Sequence, residues 1–391
     1  MVSYWQRDVW NRYDFIVVGA GIIGLSTAIS LKELHPSRSV VVIEQGFMPN
    51  GASVRNAGFA CFGSLTEILH DIGINGEEAT VKVVRARYAG LQLLRKRLGD
   101  EACAYEEHGG YELLFEHNLS ALDHRQRINA LLADIFPAPV FHECNHHISE
   151  FGFDTTRVKA LVRSDFEGQI HSGIMMRSLA ALAQERGVVL LWGAEVQRVE
   201  SNSAEARLTL QHGEESLTIG GTQVAVCTNA AIGRLLGEHL GNDASDISIT
   251  PARGQVMITS PIASLPFRGT FHFDEGFYYF RNVSSTEGQR ILMGGGRNLD
   301  FDTERTSILA LNTTIQQELE RLLREMIAPG YDFSIQERWA GIMGFHQSKL
   351  PVVRRVGERL VIGFGCNGMG VALGSTIGEE TARCLVGEGD E

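Results

Sequence analysis

The run Asp14 to Ser26, DFIVVGAGIIGLS, followed at Val40 to Glu44 by VVVIE, limits the fold of this chain more than any other feature. Phe15 to Val18 is apolar and rich in β-branched residues. Gly19, Gly21 and Gly24 then arrive at GxGxxG spacing before a helical pattern from Leu25 to Leu34. Strand, tight turn and helix are the predicted order. Gly19 lets the chain turn, Gly21 removes the Cβ that would block a pyrophosphate, and Gly24 lets the helix lie close on the strand. The pyrophosphate is expected at the helix N-terminus, at Ile22 and Ile23, where free N–H groups and the dipole favour an anion. Glu44, 20 residues past Gly24 and followed by Gln45, ends the next strand where an acceptor binds the hydroxyls of an adenosine ribose. A 2′-phosphate would meet a like charge there, so an unphosphorylated adenine dinucleotide is the expected ligand.

Length bounds the remainder. A chain of 391 residues exceeds one ordinary domain, and about two to three are expected. Hydrophobic residues make up 44% and charged residues 21%, which excludes an intrinsically disordered chain. The 43 glycines among 391 residues are about 11%, against about 7% in an average protein, as suits backbone packed around a large ligand. A net charge of −12 with no basic stripe argues against nucleic acid as the main partner. No apolar run reaches the roughly 20 residues of a membrane span, and the N-terminal residues lack a signal-peptide core, so a cytoplasmic enzyme is expected. Six scattered cysteines form no CxxC pair, which predicts free thiols. The cluster His142-Glu143-Cys144-Asn145-His146-His147 fits no structural zinc spacing. It is read as a surface loop or edge, with no metal.

Along the chain, the loop Asn50 to Phe59 is dense in small and polar residues that can wrap a ligand, and Gly76 to Leu98 is helical. Gly110 to Phe115 and Pro139 to Phe141 read as short strands and Met175 to Glu185 as a helix. Strands follow at Val188–Trp192, Glu195–Val199, Ala206–Gln211, Ser216–Ile219 and Gln223–Cys227, then at 255–258, 276–281 and 291–294. A long helix is predicted over 307–326. Leu360 to Gly363 is a strand, and Asn367-Gly368-Met369-Gly370 leads into a helix over 371–385. Strand, glycine turn and helix thus recur at both ends of the chain, which implies a discontinuous cofactor domain with a second domain inserted.

GAGIIG, Glu44, the loop GASVRNAGF, the segment Pro251 to Gln255 and the closing GFGCNGMGVALGSTIG together resemble the amino acid and amine oxidase family of flavoproteins, over nearly the whole chain and in the same order. The resemblance implies non-covalent FAD. It also implies an α/β fold: a Rossmann-like FAD-binding domain with a three-layer sandwich, plus an inserted antiparallel-sheet α+β substrate domain. The expected division gives 1–75, 172–230 and 340–391 to FAD, and 76–171 and 231–339 to the substrate. By the same resemblance Ser53, Arg55, Asn56, Ala57 and Gly58 approach the pyrophosphate and ring. Val196 offers backbone groups to the adenine, Thr228 and Asn229 lie beside the isoalloxazine, and Gly365, Asn367, Gly368, Met369, Gly370 and Val371 line its pyrimidine end. A helix opening there would aim its positive end at the site where charge accumulates on reduction.

The implied activity is oxidation of a carbon–nitrogen bond of an amine or substituted amino acid, with oxygen or an electron carrier as acceptor. Tyr279, on a strand whose alternation turns one of Tyr278 and Tyr279 inward, and His346, in the segment after Gly344, are the expected catalytic residues. The arginine that the family's amino acid members carry after a WAG-type strand is Met343 here, a second in the closing turn is Cys366, and the lysine on the 291–294 strand is Leu292 or Met293. Arg281 and Arg297 are the neighbouring cations, each weighed against a surface or salt-bridge role. Two other functions stay open: oxidation of a 2-hydroxy acid, and a flavin-binding subunit without turnover.

Overall fold

The computed structural model describes residues 3–240, 249–346 and 350–388. Two eight-stranded sheets organise them. The first runs β17 (Val352–Arg355), β18 (Leu360–Phe364), β11 (Glu215–Val226), β1 (Arg12–Val18), β2 (Val40–Glu44) and β8 (Val188–Trp192), with β9 (Glu195–Ser201) and β10 (Ala206–His212) extending from β11. Strands β18, β11, β1, β2 and β8 are parallel. Both faces of β1 and β2 are apolar because both are covered. Phe15, Val17, Val40 and Val42 pack under the helices Ile22–Leu34, Ser172–Glu185 and Gly370–Val386. Ile16, Val18, Val41 and Ile43 pack against Val196, Val199, Leu208 and Ile219 of the β9–β10–β11 meander. Helices, parallel sheet and meander make the expected three layers.

The second sheet runs β16 (Ile335–His346), β12 (Ile249–Thr259), β15 (Gly288–Gly295), β14 (Tyr278–Ser285), β13 (Thr270–Phe273), β4 (Gly110–Leu114), β6 (Ala160–Ser164) and β5 (His142–Glu143). It is antiparallel except where β13 runs parallel to β4. One face is a phenylalanine-rich core with Phe271, Phe273, Tyr278 and Phe280, closed by Ile315, Leu319 and Leu323. The other face carries Val256, Leu292, Tyr279, Val283 and Trp339 against Ala57 and Phe59 of the first loop. That loop closes with β3 (Phe59–Ala60), paired with β7 (Gly168–Gln169).

Several expected elements change. Pro139 to Phe141 is not a strand: the Asn129 side chain takes both backbone groups of Phe141, donating to its carbonyl and accepting its N–H at 2.8 Å each, and pairing begins only at His142. Ser216–Ile219 and Gln223–Cys227 are one strand, because Gly220 and Gly221 stay in register with Arg12 and Tyr13. The helix predicted over 307–326 starts at Thr313. Asn312 caps it through Oδ1, and its amide donates to Asp300 and Glu304, which holds 306–311 out of the helix. The expected boundary at 339/340 falls inside β16, which pairs with β12 on both sides of it.

Candidate functional site

The glycine turn has little alternative. A Cβ on Gly24 would lie 1.8 Å from the Gly19 carbonyl oxygen, and Gly19 itself has φ +100°, a region closed to most side chains. Across the turn, Ser53 Oγ accepts from the Ile22 N–H at 3.0 Å and joins the second loop to the helix start. The Ile22–Leu34 helix opens at Gly21, whose lack of a side chain offers no cap, so with Ile22 N–H on Ser53 it is the N–H groups of Ile23 and Gly24 that remain for an anion. Ile23 is buried on this helix. Glu44 is fixed at the end of β2 by the N–H groups of Ala20 and Gly46, each 3.0 Å from its carboxylate. Gln45 follows it in the turn, and Val196 sits on the neighbouring β9 with its side chain in the core.

The second glycine turn faces the first. Helix Gly370–Val386 also opens without a side-chain cap, at Met369, and Ile22 lies against Gly374 of the closing helix. Gly365 (φ +90°), Asn367 (φ +49°) and Gly368 (φ +91°) supply the left-handed backbone of the turn. Asn367 stabilises its own strained conformation by donating to the Gly365 carbonyl and accepting the His346 N–H at 2.9 Å. Val371 is buried beneath this turn. Thr228, next to Gly19, has a buried hydroxyl with no partner among the described residues. Asn229 (φ +51°) packs its side chain against Gly344. Two helix starts without side-chain caps, an orphaned hydroxyl and the Glu44 carboxylate fit the donor and acceptor needs of a flavin adenine dinucleotide.

Other expected contact residues serve the loop itself. Asn56 accepts from Gly58 N–H and Ser172 Oγ and donates to Ser53 O, so its side chain pins the wrap. Arg55 donates to Asn50 O and Ala340 O, while Trp339 donates its indole N–H to Arg55 O, tying the loop to β16. Gly58 (φ +76°) passes so close to Ile170 O that a Cβ would stand 2.3 Å from it.

Strand register assembles the pocket face. Across the second sheet, His272, Tyr279, Gly294, Val256 and Trp339 are successive partners in one row. The Phe59 ring meets His272 at 4.9 Å and Tyr279 at 5.4 Å, both edge-on. Tyr279 therefore turns toward the first loop, while Tyr278 stacks on Phe273 in the core. Burial raises the Tyr279 phenol to about 12 and lowers the His272 imidazole to about 4. Both are neutral near pH 7. Gly294 keeps its position because any Cβ would meet the Tyr279 ring and hydroxyl at 2.5–2.7 Å.

The two expected catalytic residues do not share this row. His346 ends β16 seven residues beyond Trp339, about 23 Å along an extended strand. Its backbone belongs to the closing turn and its ring lies 6.3 Å from Phe364. His272 was not foreseen, although Phe-His-Phe on a strand is itself a signal of one polar group facing away from the aromatic core.

Neither candidate arginine takes up the salt-bridge role weighed for it. Arg281, 7% exposed, has no ion pair or hydrogen bond among the described residues, and burial lowers it to about 10. Arg297 lies 4.1 Å over the Phe345 ring and 5.4 Å from Phe301. Other buried guanidinium groups are paired, among them Arg253, with both its Nε and Nη2 on Glu304. All six cysteines are free thiols, and burial raises Cys366 to about 12. On the surface, His146, His147 and Glu150 hold their ligand atoms within 4.8 Å of one another, while Cys144 of the same segment turns into the core.

The pattern of the FAD dependent oxidoreductase family matches residues 14–384. The chain belongs to that family. It is therefore an FAD-dependent oxidoreductase. Its fold is that of L-proline dehydrogenase from P. horikoshii (TM-score 0.77, 19% identity, 96% of this chain and 94% of that one). It is likewise that of glycine oxidase from Geobacillus kaustophilus (TM-score 0.71, 19% identity, 96% and 95%). A sarcosine oxidase subunit beta from Rhodobacter capsulatus is 48% identical over 46 residues, only 12% of this chain and 11% of that protein. Among the described residues no helix is long and apolar enough to cross a membrane.

Proposed function

We propose that this flavoprotein oxidises the carbon–nitrogen bond of an amine or substituted amino acid to an imine, which water then hydrolyses. The observation that carries the reading is the apolar patch of Phe59, Tyr279, Val256, Leu292 and Trp339 between the sheet and the Asn50 to Phe59 loop. A substrate ammonium entering it would lose its hydration without gaining a counter-ion, and the nearby Arg281 and Arg297 would add repulsion. Both effects lower its pKa and favour the neutral amine, whose lone pair drives loss of a hydride equivalent. FAD, once bound, supplies the electron sink at N5. The chain's part is to hold the amine carbon against the ring with Phe59 and Trp339, orient it with the Tyr279 hydroxyl, and exclude water. Oxygen or an electron carrier then takes up the electrons. The relatives support this assignment, since their names specify glycine, sarcosine and L-proline as substrates.

Anaerobic mixing of the holoprotein with panels of secondary amines, α-amino acids, N-methyl amino acids and 2-hydroxy acids tests it. Bleaching of the flavin by at least one amine class, with imine-derived carbonyl product, is expected. Bleaching by hydroxy acids alone, or by no member of a broad amine panel, refutes it.

A further inference from the structure

His146, His147 and Glu150 converge at the outer edge of the second sheet. In the run His-His-Ile-Ser-Glu the two imidazoles are adjacent, a spacing that fits no structural zinc pattern. Here, however, the chain is wound into one helical turn, His147–Glu150, with His146 already at helical φ and ψ. On such a turn a residue faces those three and four positions further on, so Glu150 neighbours both histidines at once. One ligand atom from each of the three side chains lies within 4.8 Å of the other two. His147 Nδ1 is 2.7 Å from Glu150 Oε2, and the rings of His146 and His147 have centroids 4.0 Å apart.

The turn is fixed from beneath. Ile148 and Phe151 enter the phenylalanine-rich core, and Asn145 Oδ1 accepts the Leu161 N–H of β6 at 2.8 Å. The His147 ring lies flat on Phe151, 2° from parallel at 4.9 Å, so packing sets its orientation. His146 and Glu150 are exposed and can turn without disturbing the core. Neighbouring groups are engaged elsewhere, Glu143 with Arg125 and His142 with Asp165. Among the described residues the ion-pair partner of Glu150 is His147, with no lysine or arginine in reach.

We propose that His146, His147 and Glu150 form a binding site for one divalent transition ion of the zinc class. Two imidazole nitrogens and a carboxylate oxygen suit such an ion, whereas Mg²⁺ demands oxygen ligands. An ion bound at about 2.0–2.2 Å to each ligand in tetrahedral geometry holds the ligand atoms about 3.3–3.5 Å apart. The present spread closes to that by rotation of the exposed His146 and Glu150 side chains. Three protein ligands leave the fourth position to water. The site is made by side chains, and the N–H groups of the short helix take no part. A bound ion clamps the turn over Phe151 and holds this edge of the core, a structural role. The turn adjoins β6, three strands from the β14 that carries Tyr279, about 14 Å across the sheet. The inference is therefore independent of the oxidation reading.

The test titrates FAD-loaded, chelator-treated protein with Zn²⁺ in a calorimeter, with Mg²⁺ as the control ion, while the unfolding temperature and the flavin absorption spectrum are followed in parallel. One Zn²⁺ per chain should bind with a micromolar Kd, raise the unfolding temperature and leave the flavin spectrum unchanged, with Mg²⁺ at least a hundredfold weaker. His146→Ala and Glu150→Gln, both at exposed positions, should fold and hold FAD as the wild type does, and each should weaken Zn²⁺ at least tenfold. Their combination should abolish the rise in unfolding temperature. No Zn²⁺ binding up to millimolar concentration overturns the proposal, as does equal affinity for Mg²⁺. Undiminished Zn²⁺ affinity in the double variant also overturns it, since the ion would then sit on others of the chain's 13 histidines.

Discussion

Replacing Arg281 by methionine should make the ligand-free protein more stable. The guanidinium loses its hydration on folding and gains no partner, and its pKa falls from 12.5 to about 10. At 1.36 kcal/mol per pKa unit, that fall is a penalty of about 3 kcal/mol on the charged form. Methionine has nearly the length of the arginine stem and places no polar atom among Phe59, Leu292 and Val283, so most of the penalty should be relieved while packing is kept. For 391 residues the unfolding entropy is about 0.8 kcal/mol/K, which makes the expected rise in Tm about 3 to 4 °C. Calorimetry of the holoprotein, with FAD held in excess, measures it. A variant that melts below the wild type without ligand would refute the reasoning, since it would mean that the charge already has a stabilising partner in the folded chain.

Three further outcomes are expected. Glu44→Ala removes the acceptor at the end of β2 and leaves the Ala20 and Gly46 N–H groups unpaired; FAD affinity, measured by fluorescence titration of apoprotein, should fall about tenfold to a hundredfold, as for loss of hydrogen bonds to a charged group. Burial raises Glu167 to about 8 and Glu112 to about 7, against 4.5 for an unperturbed side chain. The folded state then holds protons that the unfolded state releases, so Glu167 stabilises fully below pH 4.5 and loses that contribution as pH rises to 8; between pH 6.5 and 8 Glu167 alone should remove stability at up to about 1.4 kcal/mol per pH unit, and Glu167→Gln should flatten the profile by that amount. Acid precipitation of the holoprotein should leave all yellow colour in the supernatant, because the buried thiols of Cys61 and Cys366 are held protonated; colour in the pellet would contradict non-covalent FAD.

How much was legible in the sequence follows from the range of the forces involved. Gly19, Gly21, Gly24 and Glu44 are local: the turn, the helix start and the carboxylate that ends β2 lie within one strand–helix–strand unit, so spacing alone brings them together. The closing turn from Gly365 to Gly370 was readable for the same reason. Side-chain roles in the wrap were not, because Asn56 and Arg55 find their partners at Ser172 and Ala340, more than 100 and 280 residues away. His346 is another case: continuous β16 carries it to the closing turn, where its N–H meets Asn367, a pairing between separate parts of the chain that spacing does not reveal.

Arg281 shows what a one-dimensional reading cannot supply. On a strand, alternation assigns it to the face of Tyr279, but whether that face meets solvent or a domain interface depends on which strands flank it. Its neighbours Leu292 and Thr270 and the loop residue Gly58 come from three separate parts of the chain. Only once these converge does a surface-type residue become a buried cation. An arginine is the residue type most able to stay charged under such burial, so the folded chain cannot escape the penalty by deprotonation near pH 7. The charge must either destabilise the protein without return or be neutralised by something that enters the pocket.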